Sequence, residues 1–287
     1  MTYETPQALR TALEHRLRTR AEDSGINLDR LRRRVVFERV VSRLEAAEPG
    51  RWVLKGGMAL EVRLGDDARL TKDLDLGLRD DIANADVLRD RLIETLAADP
   101  EGDGFLFAVG PPKRMAQDGG GHLTWRVAVN AELAGRTFGA LKVDVSPRPH
   151  ELEATETVSL PNSLAFAGIT TPQVEIIDVH RHAAEKFHAI LRDFGDRENS
   201  RVRDLVDLML LDGNGLLARD QLAQAIAGVW SERDRSKPPG QLPALPVGWR
   251  APYEHLAGEH DVHPASFPAA AARVATLWAE TFATERS

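Results

Sequence analysis

The sequence predicts an α+β protein: an N-terminal α/β domain on a mixed sheet over residues 1–150, then a mostly helical domain over residues 151–287. Two observations carry this. Between residues 52 and 145, short strand patterns alternate with amphipathic helix patterns. After Pro147-Arg148-Pro149 the character changes, and from Val179 onward the apolar residues mostly recur at helical spacing. The 287 residues suffice for one large domain or two ordinary ones with real cores. In that layout a functional site is expected between the two parts.

The elements follow in order. Thr5-Pro6 supplies an N-cap hydroxyl and a proline at the first helical position, and the helix should run to Asp23 and stop at Ser24-Gly25. A second helix is predicted over Asp29–Ala47, with Leu31, Val35, Val40, Val41 and Leu44 as its apolar stripe and Pro49-Gly50 as its stop. Trp52–Leu54 reads as a strand entering Lys55-Gly56-Gly57, and Met58–Leu64 as a short helix. Asp73–Leu78 alternates like a half-buried strand, and Asn84–Ala97 reads as a helix. Leu123–Leu133 and Thr137–Val145 read as strands joined by a turn at Ala134-Gly135-Arg136. The later helices are Val179–Asp193, Arg201–Leu211, Leu217–Trp230 and Ala265–Arg286, with a proline-rich loop over Lys237–Pro252.

Composition narrows the function classes. No apolar run approaches the ~20 residues of a membrane span, and the first twenty residues lack a signal core, so a cytoplasmic protein with no membrane association is expected. The absence of cysteine excludes disulfides and thiolate zinc sites. The net charge of −7 leaves room for a local basic groove, because binding depends on the field at the site. Two arginine clusters are candidates: Arg30, Arg32, Arg33 and Arg34, and Arg192, Arg197, Arg201 and Arg203. Solvated helix surfaces are the plainer reading of both.

The sharpest chemical feature is Thr71-Lys72-Asp73-Leu74-Asp75-Leu76. On a strand, Asp73 and Asp75 project to one face while Leu74 and Leu76 point to the core. Two such carboxylates stay ionised together at low cost only with a cation or strong donors between them. Mg²⁺ suits that role. Asp144, set between Val143 and Val145, needs a partner on a strand otherwise fit for burial. If its strand pairs near the first, three carboxylates converge as two-metal phosphoryl transfer requires. A bare Asp-x-Asp on an exposed strand face stays open as the alternative. An EF-hand does not fit: Gly77 is one place early and position twelve is Asn84.

Gly56-Gly57 follows a strand and opens a helix, where phosphate oxygens can approach backbone N–H groups. The Gly-Lys-Ser/Thr ending of a P-loop is absent. In combination, Leu54-Lys55-Gly56-Gly57-Met58-Ala59-Leu60 and Arg69-Leu70-Thr71-Lys72-Asp73-Leu74-Asp75-Leu76 resemble the signature of the AbiEii family of nucleotidyltransferase toxins, which includes the MenT-like toxins of the polymerase-beta-like superfamily. The resemblance extends to Asp144, to Glu185-Lys186-Phe187-His188-Ala189 and to Arg203-Asp204-Leu205-Val206-Asp207-Leu208, covering about residues 50–210. It implies an enzyme that moves a nucleoside monophosphate from an NTP to an acceptor, for some members the 3′ end of tRNA, and that has a cognate antitoxin protein as partner.

By the same resemblance, Asp73, Asp75 and Asp144 would hold Mg²⁺ as a two-metal site. Lys55, Gly56, Gly57, Arg69, Thr71 and Lys72 would bind the nucleotide, and Lys186 and Asp207 would be needed for activity. Thr71 matches a serine that is phosphorylated in some members under the antitoxin's influence, making it a regulatory candidate. Met58 stands where the family usually has Ser or Thr, which removes one phosphate donor. The acceptor could instead be a small molecule or a protein, and an inactive nucleotide-binding module is the reading from another class.

Read without the resemblance, Lys186 sits at the edge of the stripe Val179, Ala183, Phe187 and Ile190, where it either snorkels or meets an anion. Asp207 is four residues after Arg203, the spacing of a plain helix salt bridge. His180 and His188 share a helix face without His182, and no fourth ligand is evident for zinc.

Overall fold

A computed structural model describes residues 3–69, 71–115, 123–193, 195 and 198–283. Leu70, Arg197 and the helix end expected at Arg286 lie outside the described residues. The chain divides into two compact units: Met1–Val62 with Leu70–Ile176, and Arg63–Arg69 with Ile177–Ser287.

The first unit opens with two capped helices. In α1 (Pro6–Ser24) the Thr5 hydroxyl accepts from the Ala8 N–H at 3.2 Å, and Gly25 closes the helix at φ 69°. Asn27 caps α2 (Leu28–Ala47) by accepting from the N–H groups of Asp29 and Arg30. Next come β1 (Trp52–Lys55), α3 (Gly56–Leu64), β2 (Asp73–Leu78), α4 (Ala85–Ala97), β3 (Phe105–Val109), β4 (Lys113–Arg114), β5 (Trp125–Leu133), β6 (Arg136–Pro147), β7 (Thr155–Ser159) and β8 (Gln173–Ile177).

These strands form one mixed sheet in the order β3-β5-β6-β2-β1-β8-β7, with β4 also on β5. β2 is antiparallel to β1 and parallel to β6, while β5 and β6 form an antiparallel hairpin. Register partners share a face. Leu74 opposes Val143 and Leu76 opposes Val145, and all four are buried. α2 lies over this apolar face: a Cβ on Gly139 of β6 would come within 3.1 Å of Val36. The opposite pleat carries the polar residues of β2 and β6, so burying one face exposes the other to chemistry.

The second unit is helical: α5 (Val179–Leu191), α6 (Val202–Gly213), α7 (Arg219–Asp234), α8 (Arg250–Glu259) and α9 (Phe267–Ala283). Its core includes Phe187, Trp230 and Trp278, whose rings meet edge-on or tilted at 5.2 and 5.7 Å.

The α+β class and most element positions agree with the sequence reading. Four strands and one helix were not foreseen. Phe105–Val109 and Gln173–Ile177 are short apolar runs, which periodicity cannot assign by itself. α8 begins inside the proline-rich stretch where the sequence predicts a loop. Pro252 falls in its first turn, where a missing N–H leaves no intrahelical bond unmade.

Candidate active site

The sheet's polar face carries a row of charges fixed by register. Lys55 on β1 opposes Asp75 on β2, Asp75 opposes Asp144 on β6, and Asp144 opposes Arg126 on β5. Asp73, two residues before Asp75, projects to the same face. The structure thus sets Asp73, Asp75 and Asp144 on one face of the neighbouring strands β2 and β6, which lie about seventy residues apart in sequence. Arg126 donates from Nε to Asp144 Oδ1 at 2.7 Å and from Nη2 to Asp144 Oδ2 at 2.6 Å. The same Nη2 reaches Asp73 Oδ2 at 3.4 Å. Hydrogen bonding to Asp144, then the fields of Asp144, Asp73 and Asp75, raises the guanidinium's pKa against the effect of burial. Lys55, by contrast, is engaged by the buried Glu151, with Nζ 3.1 Å from Oε2.

The glycine pair adjoins this row. Gly56 begins α3 at φ 57°, and a Cβ there would overlap the Asp75 carboxylate. A Cβ on Gly57 would come within 2.7 Å of the Thr71 hydroxyl. Both glycines therefore let β2 and the segment before it approach the start of a helix closely. Thr71 donates to the carbonyl of Asp73 at 3.2 Å, and Lys72 is exposed. Met58 is buried, so the position that lacks a hydroxyl faces the interior. Chemically the donor set suits a hard divalent cation. It offers three carboxylates on one face, beside helix N–H groups that favour phosphate.

Within the second unit, Lys186 on α5 is buried and donates to Asp207 and, at 3.1 Å, to Asp204, both on α6. Arg69 forks onto Asp207 from Nε at 2.6 Å and Nη2 at 2.9 Å. Lys186 therefore meets anions rather than snorkelling, and Asp207 answers the buried Lys186 and the half-buried Arg69 rather than a surface helix pair. Burial alone would lower the lysine pKa, but Asp207 and Asp204 outweigh it and leave it raised. Burial would likewise raise that of Asp207, but Lys186 and Arg69 hold it below the ordinary carboxylate value. Removing Lys186 or Asp207 would strand a buried charge in its partner.

The family model described as "Nucleotidyl transferase AbiEii toxin, Type IV TA system" matches residues 39–277. The chain belongs to the AbiEii nucleotidyltransferase toxin family. MenT4, a nucleotidyltransferase toxin from Mycobacterium tuberculosis H37Rv, has a similar fold, with TM-score 0.56 and 21% identity over 96% of this chain and 91% of that one. A candidate nucleotidyltransferase from H. pylori aligns with TM-score 0.44 and 17% identity over 89% of this chain and 91% of that one. No curated protein sequence matches the chain. As a member of the AbiEii family it is a nucleotidyltransferase, with an NTP as substrate and a toxin–antitoxin context. No described helix is long and apolar enough to cross a membrane.

Two features of this AbiEii chain carry no local signal in the sequence: Arg126, and Glu151 behind Lys55. A second acidic group also appears: Asp99, Glu101 and Asp103 bring one ligand atom each within 4.8 Å of one another, a spacing that could hold a metal. Arg43 already holds Asp103 through bonds of 2.9 and 2.7 Å and lies 3.2 Å from Asp99, with Arg39 3.6 Å from Asp103. Both arginines and Asp103 are fully buried, so that cluster carries its compensating charge with it. The histidines have separate partners: His180 accepts from the Ala218 N–H, His182 meets Arg63, and His188 meets Asp234.

The first arginine cluster is largely spent on the fold. Arg32 pairs with Glu14 and Asp29, and Arg30 and Arg34 with Glu61. Arg201 and Arg203 of the second are exposed.

Proposed function

We propose that this AbiEii nucleotidyltransferase transfers a nucleoside monophosphate from an NTP to the 3′ end of tRNA in a Mg²⁺-dependent reaction in the cytoplasm, blocking translation until its antitoxin intervenes. The observation that carries this reading is Asp75 in register with Asp144, with Asp73 on the same face, beside the Gly56-Gly57 helix start. In this reading the N–H groups at the start of α3 bind the triphosphate, helped by Lys55, Thr71 and Lys72. Two Mg²⁺ ions held by the three carboxylates would supply the charge that activates the acceptor hydroxyl and steadies the leaving pyrophosphate. The acceptor oxygen bonds to the α-phosphorus as the bond to the pyrophosphate oxygen breaks. The hydroxyl proton passes to a carboxylate of the row. Lys186, Asp207 and Arg69 are assigned to the same reaction on the family resemblance.

Exposed Arg201 and Arg203 favour RNA over a cationic small molecule as acceptor. The test is incubation with total RNA and each labelled NTP, with and without Mg²⁺. The reading expects label on tRNA that ends when a chelator is added. Label on protein or small molecules would replace the acceptor, and no transfer of any label would return the chain to a nucleotide-binding module.

Thr71 is the proposed modification point. A phosphate there would add about −1.5 to −2 charge beside Asp73 and fill the space between the row and Gly57. Thr71→Val keeps the shape and should resist silencing in cells that carry the antitoxin. Mass spectrometry of silenced protein should find Thr71 phosphorylated, and unmodified Thr71 would sink the idea.

A further inference from the structure

The row of charges raises a question that its carboxylates do not answer. A divalent cation needs the oxygens of Asp144 and Asp73, yet one guanidinium already lies on them. Arg126 engages both oxygens of Asp144 and one of Asp73. Its counterpart at the other end of the row, Lys55, is held by Glu151. Arg126 is therefore a cation that balances Asp144 and Asp73.

The arginine is also placed to leave. Its side chain is 31% exposed, against 12% for Asp144, so the arginine is the more solvent-accessible partner of the pair. A planar fork that fits a carboxylate fits a phosphate equally well. A triphosphate entering beside the row offers it a new anion with more charge than the carboxylate it gives up.

We propose that Arg126 is a nucleotide-responsive counter-ion: it blocks Asp144 and Asp73 against a divalent cation until an NTP draws it away, so that metal and nucleotide load together. This rests on the reading of Asp73, Asp75 and Asp144 as the metal centre. It goes beyond that reading by making metal affinity conditional on nucleotide. The competing account is that Arg126 is only a strut between β5 and β6. A strut predicts lost stability on substitution and no change in metal affinity.

The experiment measures Mn²⁺ binding to the full chain by electron paramagnetic resonance, with and without a non-hydrolysable NTP analogue. Removing a positive charge from beside the carboxylates should tighten Mn²⁺ binding to Arg126→Gln about tenfold in the absence of nucleotide. The analogue should tighten Mn²⁺ binding to the wild type by about the same factor and to Arg126→Gln far less. Adding Asp144→Asn to Arg126→Gln should abolish the gain, which ties the ion to this row. Equal nucleotide-free affinity in wild type and Arg126→Gln, with Asp144→Asn still weakening both, would overturn the counter-ion role and leave the metal centre standing. Mn²⁺ binding indifferent to Asp144→Asn in every background would remove the metal centre and this inference with it. Should Arg126→Gln fail to melt cooperatively, the wild type decides alone. After subtraction of Mn²⁺ held by the analogue itself, equal affinity with and without analogue overturns the proposal, and a gain of about tenfold supports it.

Discussion

Asp144 shows how much one residue's setting decides. It is mostly covered, flanked by two buried valines, and answered by a guanidinium on the neighbouring strand. Asp73→Asn and Asp144→Asn keep nearly the same shape and remove a charge. Each should lower nucleotidyl transfer by at least about 100-fold while leaving the melting transition cooperative. Turnover within about threefold of wild type at saturating Mg²⁺ would mean the reaction centre lies elsewhere. Gly56 makes a separate case. Gly56→Ala must hold a Cβ at φ 57°, which costs about 1–2 kcal/mol, and must also displace the Asp75 carboxylate. The expected result is a chain destabilised by roughly 2–4 kcal/mol in urea titration, with transfer lost along with the Asp75 position. An alanine variant of unchanged stability would show that the carboxylate can move aside freely. The carboxylates and the glycines were legible in the sequence because strand alternation and turn chemistry are local. Arg126 was not, because its role depends on pairing.

The turn sets Leu133 opposite Arg136, and an unbroken hairpin continued from there would place Arg126 opposite the buried Val143. A bulge between Ala131 and Glu132 shifts the register by one residue and brings Arg126 opposite Asp144. No periodicity in the sequence announces that bulge. Long-range caps were hidden in the same way. Glu38 on α2 is 1% exposed, and its carboxylate accepts from the N–H and the hydroxyl of Ser163, both at 2.8 Å. Burial pushes its pKa up to about 7, against the opposing pull of Ser163 and of Arg39 and Arg34. A raised folded-state value means stability that is complete below the unfolded value near 4.5 and is lost as pH rises through 7. Glu38→Gln should therefore be the more stable protein at pH 8, by up to roughly 3 kcal/mol. Its amide can still accept from the N–H and donate to the hydroxyl. The two proteins should converge near pH 4. A Gln variant less stable than wild type at pH 8 would show that the carboxylate's charge is what holds Ser163.

The acidic balance of the chain and the proposed RNA acceptor pull in opposite directions. A net charge of −7 repels a polyanion at long range, so any RNA contact must come from a local field. Sequence alone offered two arginine clusters on equal terms. The structure separates them, because Arg32 is committed to Glu14 and Asp29 while Arg201 and Arg203 are exposed near the start of α6. If tRNA is the acceptor, its affinity should fall steeply with salt, with a log–log slope of about −0.7 for each phosphate neutralised on a single strand. Arg201→Glu with Arg203→Glu should weaken binding uniformly across RNA sequences and flatten that slope by about one or two phosphates' worth. Arg32→Glu should act differently. It breaks the pairing with Glu14 and Asp29, so melting temperature should drop while the salt slope stays at its wild-type value. Fluorescence anisotropy of labelled tRNA across a salt series, on proteins checked for cooperative melting, distinguishes these outcomes. Affinity that ignores salt would exclude a phosphate-bound acceptor and move the search to small molecules. A slope altered by Arg32→Glu and untouched by the double variant would put the RNA on the other cluster.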